Sequence, residues 1–265
     1  MSFVNLGRYG YISQDSTKYV GFSDATLRNI ETTSTTATTV TLMTGTTQAA
    51  LSSPFSSAYN QYSHYFDNLT GYKMEPTFIA ANSNFTYECW FNLTTDPPPS
   101  GAVSQYCIFT RRDITAAYTG CEVEITRETV LYPRLRMLGT ANAGTSWNFI
   151  TYGNTRIRIN RWYHLAFVKN GTAARLYLDG VQEISGTYSS ATLSINENTA
   201  YIGILPQSGT FQRGFPGYIT NFRYTPSAVY TAGFTPPTVP WSTIGSSLFY
   251  MNLSARGPRG ITLNT

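Results

Sequence analysis

Apolar and polar residues alternate with a period of two in short runs along most of the chain. The period of an amphipathic helix is absent: no window places apolar residues at i, i+3, i+4 and i+7 with helix formers between them. In residues 85–93, FTYECWFNL, the side chains of Phe85, Tyr87, Cys89, Phe91 and Leu93 fall on one face, and those of Thr86, Glu88, Trp90 and Asn92 on the other. Residues 161–180, RWYHLAFVKNGTAARLYLDG, predict a hairpin. Tyr163, Leu165 and Phe167 share the inward face, and His164, Ala166 and Val168 the opposite one. Asn170-Gly171 forms a turn that requires positive φ, and Arg175–Leu178 alternates again before a second reversal at Asp179-Gly180. Further runs predict strands over 106–110, 121–126, 134–138, 147–152, 200–205, 217–224 and 248–253, with Gly, Asn or Pro between them. Strands of this length and spacing predict two packed antiparallel sheets.

Three blocks carry a resemblance to a known family. The first is the hairpin, in which a Trp opens a strand and a second strand ends on Leu176-Tyr177-Leu178-Asp179-Gly180. The second is the closing segment 200–241, AYIGILPQSGTFQRGFPGYITNFRYTPSAVYTAGFTPPTVPW, and the third is Ser63-His64-Tyr65-Phe66-Asp67 followed by residues 85–91. Together they resemble the laminin-G-like, concanavalin A-like sandwich domain over residues 60–255, and the closing segment is similar to versions encoded by bacteriophages and other viruses. The resemblance implies an all-β chain, a two-sheet antiparallel jelly roll, with the strands near Tyr65-Phe66 and Phe249-Tyr250 side by side in one sheet. It divides the chain into an N-terminal arm (1–60), the sandwich (61–255) and a short tail (256–265). It further implies a non-enzymatic virion structural protein, a capsid decoration or a tail or fibre component, made in the host cytoplasm and attached through its arm. The expected partners are other virion proteins and copies of itself. The alternative is an adhesin that binds host-surface glycans.

Composition sharpens this picture. Charged residues make up 12% of the chain, about half the usual share, and aromatics 15%, with 20 Tyr. Hydroxyl and amide groups therefore cover the surface in place of salt-bridged helices. The first sixty residues differ in texture. Residues 31–48, ETTSTTATTVTLMTGTTQ, favour extended structure but offer too little apolar area for a core of their own, so packing onto the sandwich or onto neighbouring subunits must offset the cost of ordering them. The net charge of +4 is unevenly placed. Eight Arg lie between Arg111 and Arg161 against four carboxylates, Asp113, Glu122, Glu124 and Glu128. Arg156 and Arg158 read as one side of an alternating strand edge, which suits either an acidic or phosphate-bearing partner or a solvated edge protected from pairing. No dense basic stripe marks a nucleic-acid binder. Cys89, Cys107 and Cys121 lack the spacing of a zinc site and read as buried small hydrophobes of a reducing compartment. The N-terminus does not read as a signal peptide, and no apolar run is long enough to cross a membrane.

Candidate chemistry is sparse. Laminarinase-like hydrolases on the same sandwich place catalytic carboxylates at alternate positions of one strand, and Glu122-Val123-Glu124 with Glu128 imitates that spacing. The middle position is Glu where those enzymes keep Asp, and the third carboxylate lies beyond Thr126-Arg127, so no enzyme is expected. His64 and His164 sit inside strand patterns and are read as structural or surface residues, not as catalytic ones. No cofactor is expected. Calcium, which many laminin-G-like domains hold at a loop rim, would have to use Asp96 or Asp113, neither with a second carboxylate close in sequence. For a sugar or a partner the candidates are Trp147, Phe211 and Arg213, since a sugar needs a loop aromatic against its apolar face beside polar groups that fix its hydroxyls; the other reading is aromatic packing at a sheet end or a subunit contact.

Overall fold

The computed structural model describes residues 53–56, 61–68, 71–75, 84–99, 104–112, 118–128, 130–144, 146–193, 200–207 and 210–240, together with short strands outside these ranges. Among the described residues there is no helix. Strands β1 (Phe3–Asn5), β2 (Tyr11–Ser13), β3 (Lys18–Phe22) and β4 (Leu27–Thr32) form an antiparallel meander. They are followed by β5 (Thr39–Leu42) and β6 (Ala49–Ala50), which join the edges of the two large sheets.

The front sheet is built from β8 (Tyr72–Glu75), β10 (Gln105–Arg111), β11 (Tyr118–Thr126), β12 (Arg134–Gly144), β13 (Phe149–Tyr152) and β17 (Ala200–Ile202), in the order β13-β12-β11-β10-β17-β8-β5. The back sheet contains β7 (Gln61–Asp67), β9 (Phe85–Leu93), β14 (Trp162–Asn170), β15 (Ala173–Leu178), β16 (Val181–Thr187), β20 (Pro216–Thr225), β21 (Phe249–Met251), β22 (Leu253–Ser254) and β23 (Ile261–Thr262). Its main run is β16-β15-β14-β9-β20-β21-β23, while β18 (Leu205–Gln207) and β19 (Thr210–Gln212) form a separate hairpin. The outer edge of β20 is shared: Pro216–Ile219 pairs with β7 and Phe222–Tyr224 with β21. Residues 64–67 and 249–251 therefore follow one another along β20, and the first and last strands lie side by side where β22 pairs with the start of β7, Leu253 opposite Tyr62. The change of partner falls at the register shift between Thr220 and Arg223, where Asn221 adopts a φ of 49°.

The inward faces are those the alternation predicts. Phe85, Tyr87, Cys89, Phe91, Leu93, Tyr163, Leu165, Phe167 and Leu176 of the back sheet meet Ile108, Phe109, Cys121, Val123, Ile125, Leu135 and Met137 of the front sheet in one continuous core. The Tyr87 and Phe109 rings, 3.8 Å apart between centroids, join the two layers. All three cysteines are free and buried.

The outer face of the back sheet departs from the sequence expectation. Thr86, Glu88, His164, Ala166 and Val168 alternate outward yet are buried, because residues 226–240 fold back over them without forming a strand. Ala228, Tyr230 and Phe234 of this strap pack on Ala166, Val168 and Tyr177, and the Tyr230 and Phe234 rings stack at 3.6 Å. The strap also explains the Asp179-Gly180 turn. Both residues have positive φ, 50° and 80°, as a two-residue hairpin loop requires. The Asp179 carboxylate accepts a hydrogen bond from the His164 amide at 2.8 Å, and the Phe234 amide donates to the Gly180 carbonyl at 2.9 Å. A Cβ on Gly180 would lie 1.8 Å from the Phe234 carbonyl oxygen, so only glycine lets the strap approach.

Candidate functional site

The side chains of Cys121, Val123 and Ile125 point into the core, which sets Glu122, Glu124 and Thr126 on the outer face of the front sheet. Register brings their partners together: Cys107 lies opposite Glu124, Thr110 opposite Glu122, and Arg136 opposite Glu124 on the other side. Both glutamates are nonetheless 0% exposed. Arg213, with a φ of 53° just after the β18–β19 hairpin, reaches over this face. Its backbone carbonyl accepts from the Cys107 amide at 2.7 Å, and its guanidinium lies 2.7 Å from Glu124 Oε1 and 3.8 Å from Glu122 Oε2. Arg112 pairs with Glu122, and Arg136 lies 3.6 Å from Glu124 and 2.8 Å from Glu128. The result is a chain of alternating charge, Arg112–Glu122–Arg213–Glu124–Arg136–Glu128, across the sheet.

Two aromatic rings end this chain. At one end Trp147 lies edge-on to Tyr118 at 5.5 Å, with the Arg112 guanidinium 5.6 Å from its ring centroid. At the other, the Tyr152 hydroxyl is 3.4 Å from Glu128. Trp147 is half-buried, so part of its ring faces solvent. Of the residues singled out from sequence, Trp147 and Arg213 thus border one face. The Phe211 side chain lies outside the described residues.

Electrostatics on this face follow from crowding. Burial and the neighbouring Glu124 charge push the Glu122 carboxyl up to about 7, against the pull of Arg112 and Arg213. The second oxygen of each glutamate accepts no hydrogen bond among the described residues and meets only a longer ion pair, 3.8 Å from Arg213 for Glu122 and 3.6 Å from Arg136 for Glu124, which weakens the compensation for a buried charge. Burial and the same carboxylates raise the Cys107 thiol well above its ordinary value.

Arg156 and Arg158 lie elsewhere and are not on a strand. Residues 153–161 link β13 to β14 as an irregular extended segment, with Ile157 buried in the core and both arginines exposed. The alternation read there as a sheet edge holds from Arg156 to Arg158 but fails at Ile159, which is 44% exposed, and tertiary anchors hold the segment in place of a ladder. Asp96, offered with Asp113 as a calcium ligand, borders the same segment; Asp113 lies outside the described residues. Among the described residues no group of three or more His, Cys, Asp or Glu side chains could hold a metal.

Both histidines are buried. His64 Nδ1 lies 2.6 Å from the Tyr72 hydroxyl, and burial lowers its pKa to about 3. His164 Nε2 lies 3.4 Å from Glu88 Oε2 under the strap. Sequence reasoning passed over Arg112, Arg136 and Tyr118. The signal for Arg136 was present, since Arg134-Leu135-Arg136 alternates cations as Glu122-Val123-Glu124 alternates acids, the pattern of a charged cross-strand pair.

Known proteins share this architecture. A candidate carbohydrate binding protein from Bacteroides ovatus superposes with a TM-score of 0.50 at 16% identity, over 78% of this chain and 60% of that protein's. The binding domain of botulinum neurotoxin serotype D gives 0.52 at 12% identity, over 76% and 46%. A structure concerning botulinum neurotoxin type C, a toxin whose entering of cells depends on interaction with two ganglioside molecules, gives 0.50 at 13% identity, again over 76% and 46%. At these identities the likeness is one of fold. No curated protein matches the chain by sequence. The laminin-G-type family model of the concanavalin A-like lectin/glucanases matches residues 67–231, more than half of the chain, and with the jelly-roll topology this makes the chain a member of the concanavalin A-like lectin/glucanases superfamily.

Proposed function

We propose that this protein is a non-enzymatic structural component of a virus particle, a capsid decoration or a tail or fibre subunit, built on the lectin-like sandwich and attached through its first sixty residues. The observation that carries the non-enzymatic part is the state of Glu122 and Glu124. A glycosidase needs one carboxyl free to give a proton to the leaving oxygen and another free to attack or to activate water. Here both glutamates are sealed from solvent and bound by Arg112, Arg136 and Arg213. Virion membership is supported by the closing segment 200–241, whose sequence is similar to virus-encoded versions of the domain.

Two experiments test this reading. The Glu122→Gln/Glu124→Gln double variant should leave every assembly or attachment phenotype intact, and glucan hydrolysis that the double change abolishes would overturn it. The full chain should also co-sediment with particles lacking the protein. A chain without residues 1–38, which keeps β5 and β6 on their sheet edges, should melt normally but stay in the supernatant. Equal incorporation of both would place attachment in the sandwich, with residues 39–60 that border its sheets, instead of in residues 1–38.

The half-buried Trp147 favours a second reading, a glycan-binding adhesin. Its ring, supported by Tyr118 and Arg112, offers a sugar both a stacking surface and a donor. Glycans are the ligand class to test first, since the fold is shared with carbohydrate and ganglioside binders. A glycan array with the full chain and Trp147→Ala separates the two readings: binding lost in the variant supports the adhesin, and an array with no signal leaves the structural role.

A further inference from the structure

Residues 153–160 join no sheet, yet their backbone is fixed at nearly every step. The Glu183 carboxylate on β16 accepts hydrogen bonds from the amides of Asn154 and Thr155, both at 2.6 Å, and from the Thr155 hydroxyl at 3.0 Å. The Ile157 amide donates to the Pro133 carbonyl at 2.8 Å, the Arg158 amide to the Tyr163 hydroxyl at 2.9 Å, and the Asn160 amide to the Leu93 carbonyl at 2.7 Å. With Ile157 sunk in the core, the extended chain must turn Arg156 and Arg158 outward together. Both border a surface recess of about 250 Å³ whose remaining walls are Asp96, Ile157 and Ile159.

The two arginines differ from most others in the sandwich. Among the described residues neither guanidinium has a carboxylate within 4 Å, whereas Arg112, Arg136, Arg161, Arg213 and Arg223 each do. Holding two like charges side by side on a rigid segment costs the fold a little and gains it no local pair. A preorganised site for an oxyanion has this form.

We infer that this recess binds the anionic group, a carboxylate or a sulfate ester, of an acidic saccharide. The paired guanidinium groups supply forked donors to the oxyanion. Asp96 accepts hydrogen bonds from neighbouring hydroxyls, and the exposed Ile159 side chain lies against the C–H face of the ring. The volume is below that of a typical cofactor pocket and suits a single sugar unit. Asp96 also sets selectivity. One carboxylate against two guanidinium groups leaves one net positive charge, matched to a monoanion, and Asp96 repels an acidic peptide that brings no hydroxyl to use it. The inference rests on the lectin-like reading only for the ligand class, and the recess follows β13 whereas Trp147 precedes it, so the two places can be tested apart.

The test is titration of the full chain with a heparin-derived tetrasaccharide, with its desulfated counterpart, which keeps the carboxylates, and with a neutral oligosaccharide of equal length. At least one acidic probe should bind about ten-fold tighter than the neutral one, with an affinity that falls as salt rises. The two acidic probes together tell sulfate from carboxylate. Arg156→Ala and Arg158→Ala should each lose about ten-fold with an unchanged melting temperature, and Arg156→Lys should recover only part, because lysine lacks the fork. Asp96→Asn should raise affinity for inorganic sulfate. Equal affinity for acidic and neutral probes, acidic binding that survives both alanine variants, or binding of inorganic sulfate with no saccharide would each overturn the inference. Trp147-dependent binding of the neutral probe would leave the glycan reading standing on its own, and release of shorter sugars would instead sink the non-enzymatic reading.

Discussion

The two outer faces of the sandwich both bury carboxylates, and they do so in opposite ways. On the back sheet Glu88 is, among the described residues, the single buried acid beneath the strap. Arg223 donates to it through Nε at 2.7 Å and through a second nitrogen, the Tyr230 hydroxyl donates at 2.9 Å, and His164 stands beside it. Burial alone would raise this carboxyl, but the His164 and Arg223 contacts outweigh it and hold Glu88 below the usual carboxylate range. On the front sheet Glu122 and Glu124 sit two residues apart, each with an oxygen that accepts no hydrogen bond, and Glu122 is pushed up. Equal burial therefore gives opposite results, and the ratio of donors to carboxylates decides which.

The largest expected effect is on the back face. Glu88→Ala would leave Arg223 and His164 buried without their acid, and chemical denaturation should report a loss of about 3–5 kcal/mol. A loss below about 1 kcal/mol would mean that the strap admits water and that the two faces are alike. Gly180→Ala comes next. It imposes a positive φ on a residue with a Cβ and drives that Cβ into the Phe234 carbonyl, so about 2–4 kcal/mol should be lost, with hydrogen exchange rising along residues 226–240.

Acid–base behaviour sharpens the contrast. The folded pKa of Glu122, about 7, exceeds its ordinary 4.5, so the folded chain holds a proton that the unfolded chain releases, and this group's contribution to stability falls as pH rises from about 4.5 to 7. Glu88 has the opposite sign, contributing above the ordinary carboxylate range and losing that contribution as pH falls through its lowered pKa. His64 also loses its contribution on acidification, between 6.5 and about 3. The difference in unfolding free energy between wild type and Glu122→Gln, followed over pH 4 to 8 by urea titration, should slope against the wild type as pH rises. A flat difference would show that Glu122 is charged throughout. The smallest effect belongs to the edge strand β16, where Val181 is 67% exposed: Val181→Thr should stay within about 0.5 kcal/mol.

What the chain discloses in advance follows the reach of each interaction. Inward faces were legible because alternation is local: Phe85 to Leu93 and Tyr163 to Phe167 point where a period of two puts them. Burial of the outward faces was not, because Thr86 and Glu88 read as polar surface and nothing near them announces a strap some 140 residues later in the chain; Tyr230 meets Glu88 across 142 positions. The ionic chain was half legible. Glu124 and Arg136 are cross-strand neighbours, whereas Arg213 arrives from 89 positions away. Arg156 and Arg158 were placed correctly on one side of an extended segment and wrongly on a strand, since a carboxylate and a tyrosine hydroxyl satisfy the amides that a neighbouring strand would have taken.

The three thiols form a built-in clock for breathing motions. Cys89 and Cys121 lie in the common core, where a disulfide reagent arrives only when the two sheets part. Cys107 points the other way, beneath Arg213, whose carbonyl its own amide grips. Lifting one hairpin is enough to uncover it. Its modification rate therefore counts partial openings of the charged face, and the slower rates of the other two count complete unfolding, in a single protein without an added probe.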